Sequence, residues 1–234
     1  MTALLNATPV TIFQYWNVVG EYFEYQSYAI ILGVIACIIV PYIFGSLNFA
    51  IIISRIFFHD DIRKYGSGNA GMTNMLRTYG KPSAAATLLL DMSKGLLAVL
   101  FGRFICGSLG GAVAGIFVVL GHMFPCFYKF KGGKGVATTA MVALATNWLV
   151  FLLLLAVFLI IVIGTKYVSL GSVIGVALYP IFLHALAPGY IYGYHFNVLA
   201  AFVIAAFVIF MHRANIKRIW SGTESKISLK SKKK

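Results

Sequence analysis

The side chains able to do chemistry gather in a few polar, glycine-rich stretches of an otherwise apolar chain. The longest covers residues 61–77 and reads Asp-Ile-Arg-Lys-Tyr-Gly-Ser-Gly-Asn-Ala-Gly-Met-Thr-Asn-Met-Leu-Arg. Its glycines, Gly66, Gly68 and Gly71, let backbone N–H groups converge on an oxyanion. Ser67, Asn69, Thr73 and Asn74 add neutral donors, while Arg63 and Arg77 add charge and a planar fork. The three glycines also satisfy G-x-G-x-x-G. A dinucleotide site needs a strand before that loop, and a membrane-length apolar segment stands there instead, so this match is rejected. Anion binding remains, against the plainer alternative of a glycine-rich connector.

A second stretch holds Gly121, His122, Phe124 and Pro125, then Phe130-Lys131-Gly132-Gly133-Lys134-Gly135. It is not a P-loop: Tyr128 stands at the first glycine position, and Gly135 follows the lysine where Ser or Thr is required. It does place Lys131, Lys134 and three glycines at the expected start of a helix, where free N–H groups and the dipole favour anions. An ordinary basic loop would explain the lysines but not the glycines. Ser169 and Ser172 mark a weaker third motif, because Ser and Gly are common in packed membrane helices. A fourth contains His212 and Asn215, three residues apart and so on one helix face, followed by Glu224. A histidine alone at a helix end is commonly a simple cation; the neighbouring Asn215 favours a shared substrate. Asp91 and Lys94, three residues apart in an apolar segment, read as a structural ion pair.

The elements that carry these motifs follow from composition. The chain has 234 residues, of which 60% are hydrophobic and 11% charged. Soluble domains carry about 25% charged residues, so this is a polytopic membrane protein. Apolar runs at 28–53 (with Pro41 as an expected kink), 83–104, 109–126, 136–145, 148–164, 170–186 and 196–211 predict seven helices. On that count every basic residue except Lys94 and Arg103 falls on one face. The positive-inside rule then puts the N-terminus outside and the C-terminus in the cytoplasm. The same rule accounts for the net charge of +13 without nucleic acid. The expected fold is an all-α membrane bundle of about seven transmembrane helices. Residues 1–27 form an extracytoplasmic segment, 28–224 the membrane domain, and 225–234 a basic, disordered, lipid-facing cytoplasmic tail. Met1 to Gln26 has no Lys or Arg, hence no cleavable signal peptide is expected. Cys37, Cys106 and Cys126 have no paired spacing and are expected in the core.

Two anion sites beside a membrane suit an enzyme that joins a phosphorylated, water-soluble molecule to a lipid-tailed one. Basic loops also fit a phosphate or organophosphate transporter. Transporters, however, often bind at the midplane between internal repeats, and no clear repeat is visible. A metal-dependent alcohol phosphotransferase would need several clustered Asp, whereas the six acidic residues are scattered.

The motifs closely resemble those of the bacterial acyl-phosphate:glycerol-3-phosphate acyltransferases. The resemblance rests on Asp61-Ile62-Arg63, Gly66 to Asn69, Thr73-Asn74, Arg77, Asp91, Lys94-Gly95, Gly121-His122, Phe124-Pro125, Phe130 to Ala137, Ser169-Leu170, Ser172, and His212 with Asn215 and Glu224. It covers about Ile43 to Glu224 and departs at Gly45-Ser46-Leu47-Asn48, where the family usually reads Gly-Ser-x-Pro. It implies a multi-pass enzyme of the bacterial inner membrane with its active site on the cytoplasmic face. The implied reaction moves a fatty acyl group from acyl phosphate to glycerol 3-phosphate, giving lysophosphatidic acid and inorganic phosphate. The implied partners are those two substrates and membrane lipids, with no nucleic acid, no cofactor and no metal, and the working expectation is a monomer. By resemblance Ser67, Arg77, Lys134, His212 and Asn215 are catalytic. Arg63, Gly66, Gly68, Asn69, Thr73, Asn74, His122, Lys131, Gly132, Gly133, Gly135, Ser169, Ser172 and Glu224 are expected to bind substrate. No His here is followed five positions later by Asp, so the H-x-x-x-x-D arrangement of the soluble-type enzymes is absent. Proton transfer to the leaving phosphate is preferred over a His212 base.

Overall fold

Lipid offers no hydrogen-bond partners, so a chain this apolar must satisfy its backbone within helices. The computed structural model describes residues 23–186 and 194–227, and every regular element among them is helical. The order is α1 (Phe23–Gly45), α2 (Phe49–Phe58), α3 (Met72–Tyr79), α4 (Lys81–Met123), α5 (Val136–Thr146), α6 (Trp148–Thr165), α7 (Val168–Leu186), α8 (Tyr194–Met211) and α9 (Arg213–Trp220). Short 3-10 turns lie at Ile62–Lys64 and Cys126–Tyr128. Among the described residues five spans are long and apolar enough to cross a membrane. The expected extracytoplasmic segment lies largely outside the described residues, as does the end of the basic tail.

The first span is not the single helix expected over 28–53. It continues through Pro41 and breaks at residues 46–48. Asn48 starts α2 by accepting from Ile51 N–H at 3.2 Å, and its side-chain amide donates to the Ala70 carbonyl at 3.3 Å. The departure from Gly-Ser-x-Pro therefore still starts a helix, through an N-cap. The break is held by Lys94, fully buried in α4, whose ammonium donates to the carbonyls of Gly45 (3.1 Å) and Leu47 (3.0 Å). Lys94 also lies 2.8 Å from the Asp91 carboxylate, the ion pair expected from their spacing.

The 43 residues of α4 form a hairpin, not a rod. Cys106 and Gly107 leave helical geometry, with Gly107 at φ 59°. Gly102 and Gly110 then face each other so closely that a Cβ on either would strike the other's carbonyl group. In a straight helix they would be about 12 Å apart. The two helices expected at 83–104 and 109–126 are thus the arms of this hairpin. The short α5 has 11 residues, about 16 Å of rise against a hydrocarbon core of about 30 Å. Asn147 follows it and caps α6 by accepting from Leu149 N–H (3.0 Å) and Val150 N–H (3.1 Å).

Val99, Val118, Val119, Met123, Val142, Ile204 and Val208 form the main core between the hairpin arms, α5 and α8. A second core of Ile51, Ile53, Ile62 and Met75 lies beneath the first glycine-rich loop, which is therefore a folded unit. The cysteines are free. Cys37 is buried as expected, Cys106 only partly so, and Cys126 is exposed in its 3-10 turn.

Candidate active site

The first loop builds itself from side chains expected to face a ligand. Asp61 caps the 3-10 turn and accepts from Arg63 through its N–H (3.1 Å), Nε (2.9 Å) and Nη2 (2.7 Å). Those bonds hold the Asp61 carboxyl well below the usual carboxylate range. Arg63 Nη1 continues to the carbonyls of Tyr128 (2.9 Å) and Lys131 (2.9 Å). The guanidinium is thereby engaged in clamping the first loop to the second, which corrects the expectation of a direct anion contact. Asn74, on α3 and nearly fully buried, is likewise a frame. Its Nδ2 donates to the Ile62 (3.2 Å) and Tyr65 (3.0 Å) carbonyls, and its Oδ1 accepts from Ser67 N–H (3.1 Å). Among the described residues nothing bonds the side chains of Ser67, Asn69, Thr73 or Lys131. These groups remain available to a ligand.

The second loop zips onto the end of α4. Gly132 N–H donates to Met123 O (3.0 Å) and Gly133 N–H to His122 O (3.0 Å). Those two amides are therefore not free for an oxyanion, again a correction to the sequence reading. Gly133 rests on the His122 ring and against the Ala70 carbonyl, and a Cβ there would overlap both. This close approach explains the glycine and brings the two loops to one seam. Gly135 then starts α5 at φ 80°.

The remaining motifs assemble around Lys134. Its ammonium donates to Asn215 Oδ1. Asn215 Nδ2 donates in turn to Ser169 Oγ (2.8 Å) and Glu224 Oε1 (2.6 Å). Glu224 Oε1 also accepts from Ser169 Oγ (2.5 Å), and Oε2 accepts from Arg218 Nε (2.7 Å). Arg77 Nη2 reaches the Ser225 carbonyl at 3.3 Å. His212 Nδ1 lies 2.7 Å from the Val208 carbonyl, an acceptor only, so Nδ1 carries the proton and Nε2 the lone pair. Ser172 differs from the rest: its hydroxyl donates to the Val168 carbonyl of its own helix at 2.9 Å.

Electrostatics follow the geometry. Burial lowers Lys134 to about 8; Arg218 and Arg77 add to that effect and Glu224 opposes it. Burial, then the Lys134 charge, lowers His212 to about 4, so its imidazole is neutral at pH 7. Burial works against the Glu224 carboxylate, yet hydrogen bonds from Ser169, Asn215 and Arg218 hold it ionised and below its ordinary value. The result is a cluster with surplus positive charge whose one acid is already saturated. Such a cluster can accept phosphate anions. Among the described residues no group of His, Cys, Asp and Glu is arranged to hold a metal.

A model of the glycerol-3-phosphate acyltransferase family matches residues 35–222. The chain belongs to that family. A glycerol-3-phosphate acyltransferase of Thermoanaerobacter sp. (strain X514) is 42% identical over 204 residues, covering 87% of this chain and 98% of the relative. One from Finegoldia magna is 44% identical over 202 residues, covering 86% and 96%. A crystal structure of PlsY (YgiH), an integral membrane glycerol 3-phosphate acyltransferase in its glycerol 3-phosphate form, superposes with a TM-score of 0.77 at 35% identity, covering 83% of this chain and 96% of that one. The lysophosphatidic acid form of the same enzyme gives 0.75 at 34%, with coverage of 84% and 96%.

In this acyltransferase the fold joins Lys134, Asn215, Ser169 and Glu224 by direct bonds and places His212 and Arg77 within electrostatic reach of Lys134. Ser67, Asn69 and Thr73 belong to the neighbouring loop. Arg218 was not singled out from sequence, because its place in a basic run gave it the same topological explanation as its neighbours. The signal was its spacing of three from Asn215, the same helix-face rule that paired Asn215 with His212.

Proposed function

We propose that this acyltransferase transfers a fatty acyl group from acyl phosphate to glycerol 3-phosphate, forming lysophosphatidic acid and inorganic phosphate as the first acylation of phospholipid synthesis. The acceptor and product rest on family membership and on the two ligand forms of the related enzyme. The donor rests on the motif resemblance. The observation that carries the reading is the Lys134 cluster: a partly buried lysine flanked by Arg77 and Arg218, with its only nearby carboxylate among the described residues already bonded three ways.

Both substrates carry phosphate, so their mutual repulsion must be offset before they meet. Lys134, Arg77 and Lys131 supply charge, while Ser67, Asn69 and Thr73 supply free donors. The hydroxyl oxygen of glycerol 3-phosphate attacks the acyl carbonyl carbon, the bond from that carbon to the phosphate oxygen breaks, and phosphate leaves with the electron pair. A His212 base near 4 is weak, whereas the phosphate oxygen gains basicity as it takes the electron pair of the breaking bond. The departing phosphate is therefore the better proton acceptor. His212 Nε2 positions the acceptor substrate by accepting a hydrogen bond from its second, unreacting hydroxyl, which leaves the reacting hydroxyl's proton for the phosphate. No metal takes part in this scheme.

We place the enzyme in the bacterial inner membrane with seven helical passes, the N-terminus outside, and the site and C-terminus in the cytoplasm. The hairpin in α4 supports two of those passes, and the one-sided basic residues support the orientation.

Purified protein in lipid, given palmitoyl phosphate with and without glycerol 3-phosphate, tests the assignment. Phosphate release that needs both substrates, with lysophosphatidic acid formed in equal amount, is expected. Acylation from palmitoyl-CoA but not from palmitoyl phosphate would overturn the donor.

A further inference from the structure

The His122 ring lies where the two loops meet, and its state is set from behind. Lys94 is fully buried and its ammonium has three hydrogens. The three hydrogen bonds it makes go to Gly45 O (3.1 Å), Leu47 O (3.0 Å) and His122 Nδ1 (2.9 Å). Asp91 Oδ1 balances the charge, 2.8 Å from the ammonium and 3.4 Å from His122 Nδ1, so Nδ1 sits nearer the ammonium than the carboxylate. An ammonium can only donate, so Nδ1 must be the lone-pair nitrogen and Nε2 must carry the proton. That N–H finds no acceptor among the described residues. It edges onto Gly133, which lacks the side chain that would cover it, beside the Ala70 carbonyl of the first loop.

Resting on the proposed function, we infer that Lys94 is a positioning residue that fixes His122 in the Nε2–H tautomer and so aims one donor at the loop seam, where the glycerol 3-phosphate phosphate binds. Asp91 balances the Lys94 ammonium, and Lys94 holds the His122 donor forward. The arrangement lets a membrane-buried ion pair act on a substrate it never touches.

The tautomer is read directly from ¹⁵N chemical shifts of histidine-labelled wild-type protein in lipid, with the His122 signals assigned by their loss in His122→Asn. His122 is expected to be protonated on Nε2 and bare on Nδ1, the reverse of His212. A His122 protonated on Nδ1, or doubly protonated, at neutral pH overturns the inference, whatever reaction the protein catalyses. Kinetics supply the functional half. A glutamine amide nitrogen can stand near Nε2, whereas an asparagine amide stands near Nδ1. The KM for glycerol 3-phosphate in His122→Asn is expected to exceed that of His122→Gln by at least about tenfold, with kcat within about threefold, the loss of one hydrogen bond to a charged group. Lys94→Met is expected to raise that KM in the wild-type background and much less in His122→Gln, which has no tautomer to control. Equal KM values for the two His122 variants, or an equal Lys94→Met effect in both backgrounds, would reduce the cluster to packing. Should Lys94→Met fail to fold, the wild-type spectrum still decides. Absence of any acyl transfer would defeat the proposed function and leave the tautomer result standing.

Discussion

Two trios of lysine, histidine and carboxylate occupy this molecule, and they are built to opposite ends. In Asp91–Lys94–His122 the ions touch directly, all three side chains are nearly fully buried, and the lysine's hydrogens are all taken. In Glu224–Lys134–His212 an amide intervenes: Asn215 turns its Oδ1 to the lysine and its Nδ2 to the acid. Glu224 is then satisfied by Ser169, Asn215 and Arg218, so it stays anionic without neutralising Lys134 by contact. The histidines are mirrored too, with Nδ1 accepting in one trio and donating in the other. The same three kinds of titratable group thus give a closed staple in one place and an open anion receptor in the other, and the difference lies in what separates lysine from carboxylate.

Removing one member of the closed trio carries the largest expected effect. Lys94→Met strands the Asp91 charge and releases two carbonyls at the α1–α2 break, so a loss of about 3–5 kcal/mol is expected in reversible unfolding in detergent. The double variant Asp91→Leu/Lys94→Met is expected to lose less than Lys94→Met alone. A double loss equal to the sum of the two single losses would show that the trio is not one unit. In the open trio, Lys134→Ala is expected to lower kcat/KM by about 10²–10³-fold with little change in melting temperature. A large melting shift there would erase the contrast. Asn215→Leu removes the separator and leaves Glu224 and Lys134 unmediated. A loss of about 10–100-fold in kcat/KM is expected, and near-wild-type turnover would show that the amide is dispensable. The smallest effect is at the clamp between loops. Arg63→Lys loses the fork that binds Asp61, Tyr128 and Lys131 together, at about 1–2 kcal/mol of stability by thermal unfolding.

Much of the fold was legible because apolar length alone marks membrane helices, and the arms of the α4 hairpin coincide with two separate apolar runs. The break after α1 was misplaced. Pro41 is the stronger local signal, but the break is imposed by Lys94, far away in sequence, and local propensity cannot report such a tertiary bond. In the site, Lys134 stood out by its type beside the glycines and Asn215 by its spacing from His212, whereas a role for Glu224 entered only with the family resemblance. Arg63, Asn74 and the Gly132 and Gly133 amides were misread as ligand-facing, because a donor's residue type does not say whether it faces a ligand or its own loop. The same ambiguity hid Arg218.

The most direct test is the pH dependence of kcat/KM for glycerol 3-phosphate, which reports ionisations of the free enzyme. Lys134 is lowered from 10.5 to about 8 by burial, so raising the pH through 8 removes its charge and the rate should fall. Stability should move oppositely, since the unfolded chain holds that proton until about 10.5 and folding is relieved of the buried charge between the two values. His212, near 4, should contribute no limb around 6.5. In Lys134→Arg, which stays charged throughout, the alkaline fall is expected to vanish up to pH 10 at whatever rate that variant retains. A fall above pH 8 that persists unchanged in Lys134→Arg would contradict the assignment of Lys134 as the cation of the open site.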